Sequence, residues 1–116
     1  MILPEDRATP ECSVAEARAA VLEGGLLLDV REGVEWELGH APHAVHIPMS
    51  QLSDRVDELP RDRTILCVCH IGGRSAVVAD ALNRAGWRAR NVAGGMEAWT
   101  AAGYPVVVDG ADGART

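Results

Sequence analysis

The sequence predicts an α/β fold, a parallel sheet with helices on both faces. Two short runs, LLLDV at 26–30 and TILCVC at 64–69, are apolar without alternation, which is typical of strands buried on both sides of a parallel sheet. Segments of helical period separate such runs, and this alternation favours parallel strands joined by helices. The length of 116 residues suits one domain, which we place at 1–108.

Caps and breaks define the elements of the first half. Ser13 and Glu16 have the spacing of a capping box, and the glycines at 24 and 25 end the helix that follows it. Pro48 ends a brief strand. The predicted elements are a short strand near Cys12, helix 13–23, strand 26–30, helix 31–39 and strand 45–48.

The second half follows the same alternation. Ser50 is a suitable N-cap, Gly86 a helix stop, and the segment at 87–92 alternates in polarity as a strand nearer an edge does. The predicted elements are helix 50–59, strand 64–69, helix 75–86, strand 87–92 and helix 94–103. The tail at 109–116 is small and polar, and is predicted to be disordered.

The charge pattern excludes several classes of function. The net charge is −6, so we expect no general binding of nucleic acid or anionic membranes, because both need a positive surface. No segment approaches the ~20 apolar residues of a membrane span, and the start MILPEDRATPECS lacks the pattern of a secretory signal. Three cysteines without framework spacing predict no disulfide scaffold. We therefore expect a soluble protein of a reducing compartment, by default cytoplasmic.

The segment CVCHIGGRS at 67–75 carries the candidate chemistry. Cys69 is predicted to end a central strand, and a helix is predicted to begin near Ser75. Between them, Gly72 and Gly73 allow the chain to aim successive backbone N–H groups at one point, and the helix N-terminus adds the positive end of its dipole. Such a ring of amides lowers the pKa of a cysteine from its usual ~8.5. Cys69 is therefore predicted to be a nucleophilic thiolate.

Two side chains of this loop are predicted to assist Cys69. All eleven basic residues of the chain are arginine, so an anion site must use guanidinium groups, backbone amides or histidine. Arg74 is predicted to bind an anionic substrate, and His70 to add a donor or a partial positive charge. The alternative interpretation is that Cys69 is a small buried core residue, which is the commoner role of such a cysteine.

The remaining thiols and histidines offer weaker candidates. Cys67 points to the same face of the strand as Cys69, so it is either a resolving thiol or, as we favour, a buried core residue. We expect no metal, because a zinc site usually draws its ligands from paired spacings that these residues lack. The side chains of suitable type for zinc are those of Cys67, Cys69, His40, His43, His46 and His70.

The loop CHIGGRS resembles the active-site loop of single-domain rhodaneses, a sulfurtransferase family. Four further stretches resemble that family in the same order, and the resemblance covers residues 9–107. These stretches are DVRE at 29–32, GHAPHAVHIP at 39–48, SAVVADALNRAGW at 75–87 and GGMEAWTAAGYPV at 94–106.

The resemblance implies a three-layer α/β/α sandwich with five mainly parallel strands in the order 3-2-4-5-1. It also implies that Cys69 takes a sulfane sulfur from a thiosulfate-like donor, becomes a persulfide, and passes the sulfur to cyanide or a thiol. Arg74 would bind the donor, and no metal or organic cofactor is needed. The donor or acceptor could also be a protein. The loop residues implied to hold the substrate charge are His70, Ile71, Gly72, Gly73 and Ser75.

The resemblance also implies supporting residues. Asp29 and Arg31 would fix the loops at the carboxyl edge of the sheet, and His40 would be a hydrogen-bond partner near Asp29. His43 stands where the family often has glycine, so a positive φ is expected there. Ile71 replaces a small polar residue and makes the pocket more apolar.

The length and the residues of the loop distinguish between the possible functions. Four residues lie between Cys69 and Arg74, whereas cell-cycle phosphatases of related fold have one more, so phosphatase activity is not expected. The resemblance also implies a thiosulfate-like donor, because mercaptopyruvate-type sulfurtransferases usually carry neutral residues at the end of this loop, where this chain has Arg74. Two alternatives stay open: a catalytically silent rhodanese-like binding or regulatory module, and a thiol redox sensor that uses Cys67 and Cys69.

Overall fold

The computed structural model describes residues 10–109, and its centre is a five-stranded sheet. The order β1-β5-β4-β2-β3 is the predicted order read from the other edge, and every neighbouring pair is parallel. The predicted topology is therefore confirmed. The strands are β1 Glu11–Cys12, β2 Leu26–Asp29, β3 Val45–His46, β4 Thr64–Val68 and β5 Arg88–Val92.

The helices lie where the sequence predicts them, with one difference in kind. The segment predicted as one helix over 50–59 is a single α-turn flanked by 3-10 turns at Met49–Gln51 and Val56–Glu58. Gln51 and Arg55 have ψ angles of −1° and 6°, which interrupt a regular α-helix at both ends. The α-helices are α1 Val14–Leu22, α2 Gly33–Glu37, α3 Leu52–Arg55, α4 Gly73–Arg84 and α5 Gly95–Ala101.

Each face of the sheet has its own hydrophobic core. On one face, Leu28, Ile65 and Cys67 pack with Val78 and Leu82 of α4. On the other face, Leu27, Leu66 and Val68 pack with Ala17 of α1 and with Met96 and Trp99 of α5. Successive strand residues therefore enter opposite cores, which explains why the central strands lack a polar face.

Local predictions at two turns are confirmed. The N–H of Glu16 donates to Ser13 Oγ at 3.0 Å, and the N–H of Ser13 donates to the Glu16 carboxylate at 2.8 Å, which completes the capping box. His43 has a φ of +65°, as expected for a histidine where a glycine is common. The capping box thus fixes the start of α1.

The loop after β4 lies at the carboxyl edge of the sheet, next to the end of β2. The N–H of Val30 donates to the carbonyl of Val68, so the two strand ends remain joined up to that edge. In a parallel α/β sheet this edge is where ligands bind. The fold thus places Cys69 and the segment 29–32 side by side.

Of the predicted tail at 109–116, Asp109 has a defined place, since its carboxylate accepts hydrogen bonds from Trp36 and His40. The rest of that prediction lies outside the described residues. No helix between residues 10 and 109 is both long and apolar enough to cross a membrane.

Candidate active site

The thiol of Cys69 lies directly beyond β4 and is surrounded by hydrogen-bond donors. Its Sγ accepts the backbone N–H of Gly72 at 3.1 Å, the backbone N–H of Ser75 at 3.4 Å and the Ser75 hydroxyl at 3.2 Å. Gly72 and Ser75 belong to the loop and to the first turn of α4. Two of the predicted loop amides, those of Gly72 and Ser75, therefore point at the sulfur.

Two observations explain why the loop folds this way. Gly72 has a φ of +114°, which an L side chain rarely adopts, and this reversal turns its N–H back towards Sγ. The carbonyls of Cys69 and His70 accept the N–H groups of Met96 and Glu97 at 2.8 and 2.9 Å. Because α5 holds these carbonyls, the loop amides are left to face the sulfur.

Gly95 makes this contact between α5 and the loop possible. A Cβ at this position would overlap the carbonyl oxygens of Cys69 and His70, and its φ is +57°. The sequence predicts a final helix at 94–103 but does not show this contact. The paired glycines at 94 and 95 are the signal that could have indicated a close backbone approach.

The surroundings of Cys69 favour its charged form. Burial raises the pKa of the thiol, but hydrogen bonds from the Ser75 side chain and from the backbones of Ser75, Gly72 and Arg74 outweigh burial and lower the pKa below its usual value. The residue is only 1% exposed. The neighbouring loop residues His70 and Ile71 are exposed, so the loop is a part of the site that faces solvent.

Cys67 lies two residues earlier and is as buried as Cys69, but its pKa is shifted in the opposite direction. It is 0% exposed, and burial, followed by the negative charges of Cys12 and Cys69, raises its pKa to about 12. All three thiols are free. A thiol so protonated is a poor nucleophile, which supports the core interpretation of Cys67 over a resolving role.

Arg74, which is predicted to bind an anionic substrate, holds a carboxylate of the protein itself. Its two terminal nitrogens donate to the two oxygens of Glu35 at 2.7 and 2.8 Å, which joins the start of α4 to α2. This contact lowers the pKa of Glu35 to about 2, and the Glu35 carboxylate raises that of Arg74. The sequence could not show this pairing, since the partners are far apart in the chain.

The predicted hydrogen bond between His40 and Asp29 is wrong. The Asp29 carboxylate is occupied by the backbone N–H and guanidinium of Arg31, at 2.8 to 3.1 Å. His40 instead contacts Asp109 at 2.8 Å and stacks on Trp36 with ring centroids 3.5 Å apart. The side chain of Arg31 also donates to the carbonyl of Gly39, so Asp29 and Arg31 do link the two loops.

An open groove of about 700 Å³ adjoins the loop. Its wall includes His70, Glu35 and Arg31 together with apolar side chains from the residue after α2, from α5 and from the segment after α5. The apolar lining residues are Leu38, Met96, Ala101 and Val106. Ile71 is 61% exposed, so the site has apolar surface at its loop as well as in this groove.

The structure thus brings part of the predicted set onto the sulfur. Cys69, Gly72 and Ser75 meet at Sγ, while the N–H groups of His70 and Ile71 donate no hydrogen bond within residues 10–109. The N–H of Gly73, at the start of α4, donates none in that range either. These amides remain available to an anion at the loop.

Asn91 is a site residue that the sequence analysis missed. It lies on β5, and its Oδ1 accepts the Ser75 hydroxyl at 2.6 Å. A polar residue near the end of a predicted strand was the available signal. No group of three His, Cys, Asp or Glu side chains within the described range is placed to hold a metal ion.

Comparison with known proteins matches residues 13–102 to the rhodanese-like domain model. The chain is 36% identical over 91 residues to a sulfurtransferase of Allochromatium vinosum, covering 78% of this chain and 85% of that protein. It is 32% identical over 85 residues to the thiosulfate sulfurtransferase GlpE of Pseudomonas syringae, covering 72% and 80%.

Other similarities concern a longer protein and a solved structure. The chain is 40% identical over 75 residues to the putative sulfur carrier protein YrkF of Bacillus subtilis, which is 64% of this chain but only 40% of that protein. A rhodanese-related protein of Thermoplasma volcanium superimposes with a TM-score of 0.80 at 31% identity, covering 85% of this chain and 98% of that one.

Proposed function

The chain belongs to the rhodanese-like domain family, and we propose that it is a sulfurtransferase which carries sulfur as a persulfide on Cys69. The observation that carries this proposal is the set of donors on Sγ from Gly72 and Ser75. They favour a thiolate at neutral pH, and a thiolate is the nucleophilic form of cysteine. The relatives named sulfurtransferase support the same reaction class.

In the first step, the Cys69 thiolate attacks the outer sulfur of a thiosulfate-like donor. A new S–S bond forms to Cys69 while the bond inside the donor breaks, and its electron pair leaves on sulfite. The product is a Cys69 persulfide whose outer sulfur carries the negative charge. No proton is transferred, because the attacking sulfur has already lost its proton to water.

In the second step, a nucleophilic acceptor such as cyanide or a thiolate attacks the outer sulfur. The acceptor gains that sulfur, and the electron pair of the S–S bond returns to Cys69 as thiolate. The thiosulfate-to-cyanide reaction therefore needs no metal and no organic cofactor. A protein that presents a thiol or a persulfide is a further partner of suitable chemistry.

The unpaired amides of the loop support the persulfide state. The outer sulfur lies one bond beyond Sγ, and the N–H groups of His70, Ile71 and Gly73 donate to no group within residues 10–109. Preorganised amides of this kind stabilise charge that develops during a reaction. Asp29, Arg31 and His40 hold the neighbouring loops through the contacts described above.

Arg74 joins donor binding only if the donor shares or displaces Glu35. The pair is part-buried, with 38% and 34% of the two side chains exposed, so water and small anions reach it. A thiosulfate dianion would compete with one carboxylate for the same guanidinium. A reducing compartment such as the cytoplasm suits this chemistry, because it keeps Cys69 free.

The test is a mass measurement on the intact protein. Incubation with thiosulfate should add one sulfur atom to the wild-type chain and to Cys67→Ser, and none to Cys69→Ser. Cyanide should then remove the added mass and yield thiocyanate. A folded wild-type protein that gains no mass from thiosulfate or from a small persulfide would contradict the proposal and favour a silent binding module.

A further inference from the structure

A buried amide, Asn91, is connected to the reactive sulfur through one hydroxyl group. Asn91 is 1% exposed. Its Nδ2 donates to the carbonyl of Gly72 at 3.1 Å and to the carboxylate of Glu11 at 3.0 Å. Both amide hydrogens are thereby used, which fixes the amide so that its Oδ1 faces Ser75.

The Ser75 hydroxyl has one hydrogen and two acceptors within reach. Asn91 Oδ1 lies 2.6 Å from the hydroxyl oxygen, and Cys69 Sγ lies 3.2 Å from it. A single O–H can be directed at only one of them at a time. The two acceptors therefore compete for the same hydrogen.

The protonation state of Cys69 decides which acceptor receives that hydrogen. As a thiol, Cys69 can donate its own S–H to the oxygen of Ser75, and the hydroxyl hydrogen then goes to Asn91. When the thiol proton has left to water, the sulfur is an acceptor only, and it attracts the hydroxyl hydrogen in addition to the N–H groups of Gly72 and Ser75. The thiolate therefore gains the hydroxyl as a donor only when the hydrogen bond between Ser75 and Asn91 breaks.

We propose that Asn91 is a positioning residue that limits the thiolate fraction of Cys69 by competing with the sulfur for the Ser75 hydroxyl. This inference rests on the proposed function for its biological meaning, but its mechanism concerns only the reactivity of one thiol. Holding part of Cys69 as thiol protects the free enzyme from oxidation and unwanted alkylation.

The test compares two variants whose structural losses are the same. Asn91→Ala and Asn91→Asp both lose the N–H donors to Gly72 and Glu11. Asn91→Ala also loses the competing acceptor, so the pH profile of Cys69 alkylation should move to lower pH, with labelling at pH 6 roughly threefold faster than in wild type. Asn91→Asp keeps a stronger acceptor and adds a negative charge, so its profile should move to higher pH.

The Ser75→Ala background shows whether Asn91 acts through the hydroxyl. There, adding Asn91→Ala should leave the alkylation profile unchanged within about 1.5-fold, because no hydrogen remains to compete for. A merely structural role predicts that Asn91→Ala and Asn91→Asp shift the profile in the same direction, and that the shift persists without Ser75. Either result would overturn the inference.

A second measurement uses the wild-type protein and does not depend on how the variants fold. The side-chain amide NMR signal of Asn91 should follow the titration of Cys69, and it should lose this dependence in Ser75→Ala. A signal that stays constant through the titration contradicts the competition. Because neither readout involves sulfur transfer, a failure of the proposed function would show separately, as absence of the persulfide.

Discussion

Cys67 lies on β4 and Cys69 lies just beyond the end of that strand, and their surroundings shift their pKa values in opposite directions. Both are buried, at 0% and 1% exposure. Burial raises the pKa of Cys67 to about 12, while donors from Ser75, Gly72 and Arg74 bring that of Cys69 below its usual value. The comparison teaches that burial does not make a thiol inert. Whether a buried thiol is reactive depends on whether nearby N–H groups point at its sulfur.

The largest expected effect is the difference in reactivity between these two thiols. With a pKa of about 12, Cys67 is a thiolate in only about one molecule in 10⁵ at pH 7, whereas the lowered pKa of Cys69 leaves a far larger share of that thiol ionised. Under native conditions, iodoacetamide should therefore label Cys69 at least about 1,000-fold faster than Cys67. Peptide mapping after timed labelling measures this ratio, with Cys69→Ser as the control that removes the fast site. Comparable rates for the two thiols would break the comparison.

The next effect concerns the contact that sets the direction of the loop amides. Gly95→Ala places a methyl group against the carbonyls of Cys69 and His70, so it should lower the free energy of unfolding by about 3 kcal/mol or more and slow alkylation of Cys69. Gly103→Ala is the matched control, since Gly103 also has a positive φ, +80°, but has open space around it. It should cost only about 1–2 kcal/mol.

Chemical denaturation and the labelling rate together test this pair of variants. If Gly95→Ala lowered the free energy of unfolding no more than Gly103→Ala does, α5 would not be holding the loop carbonyls. Retention of the wild-type labelling rate in a folded Gly95→Ala protein would have the same meaning.

A smaller effect is expected at the loop reversal itself. Gly72→Ala meets no atom closer than 3.5 Å, so its cost is the strain of a φ of +114°, about 1–2 kcal/mol, and relief of that strain moves the N–H away from Sγ. Gly73→Ala, one residue on, meets nothing within 4 Å and lies inside α4, so it should be neutral or stabilising by up to about 1 kcal/mol. Only Gly72→Ala should slow the labelling of Cys69.

The smallest effect on stability is expected at the Arg74–Glu35 pair. The pKa of Glu35 is depressed to about 2, so its stabilising contribution is complete above the usual value of 4.5 and is lost as the pH falls towards 2. Because the pair is about one-third exposed, Glu35→Gln should cost no more than about 1 kcal/mol at pH 7, and the difference from wild type should disappear near pH 2. Denaturation at several pH values measures it.

Glu35→Gln should lower stability but increase the catalytic efficiency with thiosulfate. Freed from the carboxylate, Arg74 can bind the donor, so kcat/KM for thiosulfate should rise about threefold or more. Glu37→Gln, an exposed change on the same helix, is the control and should alter neither quantity. A fall in kcat/KM in Glu35→Gln would mean that the carboxylate positions Arg74 productively instead of competing for it.

The fold and part of the site could be predicted because their signals are local. The buried strands appear as apolar runs, and α1 is marked by the capping box of Ser13 and Glu16. The loop after β4 is marked by two glycines behind a cysteine. The strand order is not local, and it came from the resemblance of several motifs taken together.

The site contacts that the sequence does not show join distant parts of the chain. The partners of Arg74 and His40 are Glu35 and Asp109, which are 39 and 69 positions away. No spacing rule reports a partner at that distance. Asp109 in particular lay in a segment predicted to be disordered. Such partners are visible only when the packing of α2, α4 and the segment after α5 is known.

The state of the reactive sulfur is tested most directly by titrating Cys69 in a Cys12→Ser, Cys67→Ser protein, with the rate of alkylation measured as a function of pH. We expect a midpoint below the ~8.5 of an unperturbed cysteine, because inward-facing N–H groups stabilise the thiolate despite burial. Ser75→Ala should move the midpoint upward. A midpoint at or above that of a free cysteine would contradict the central claim.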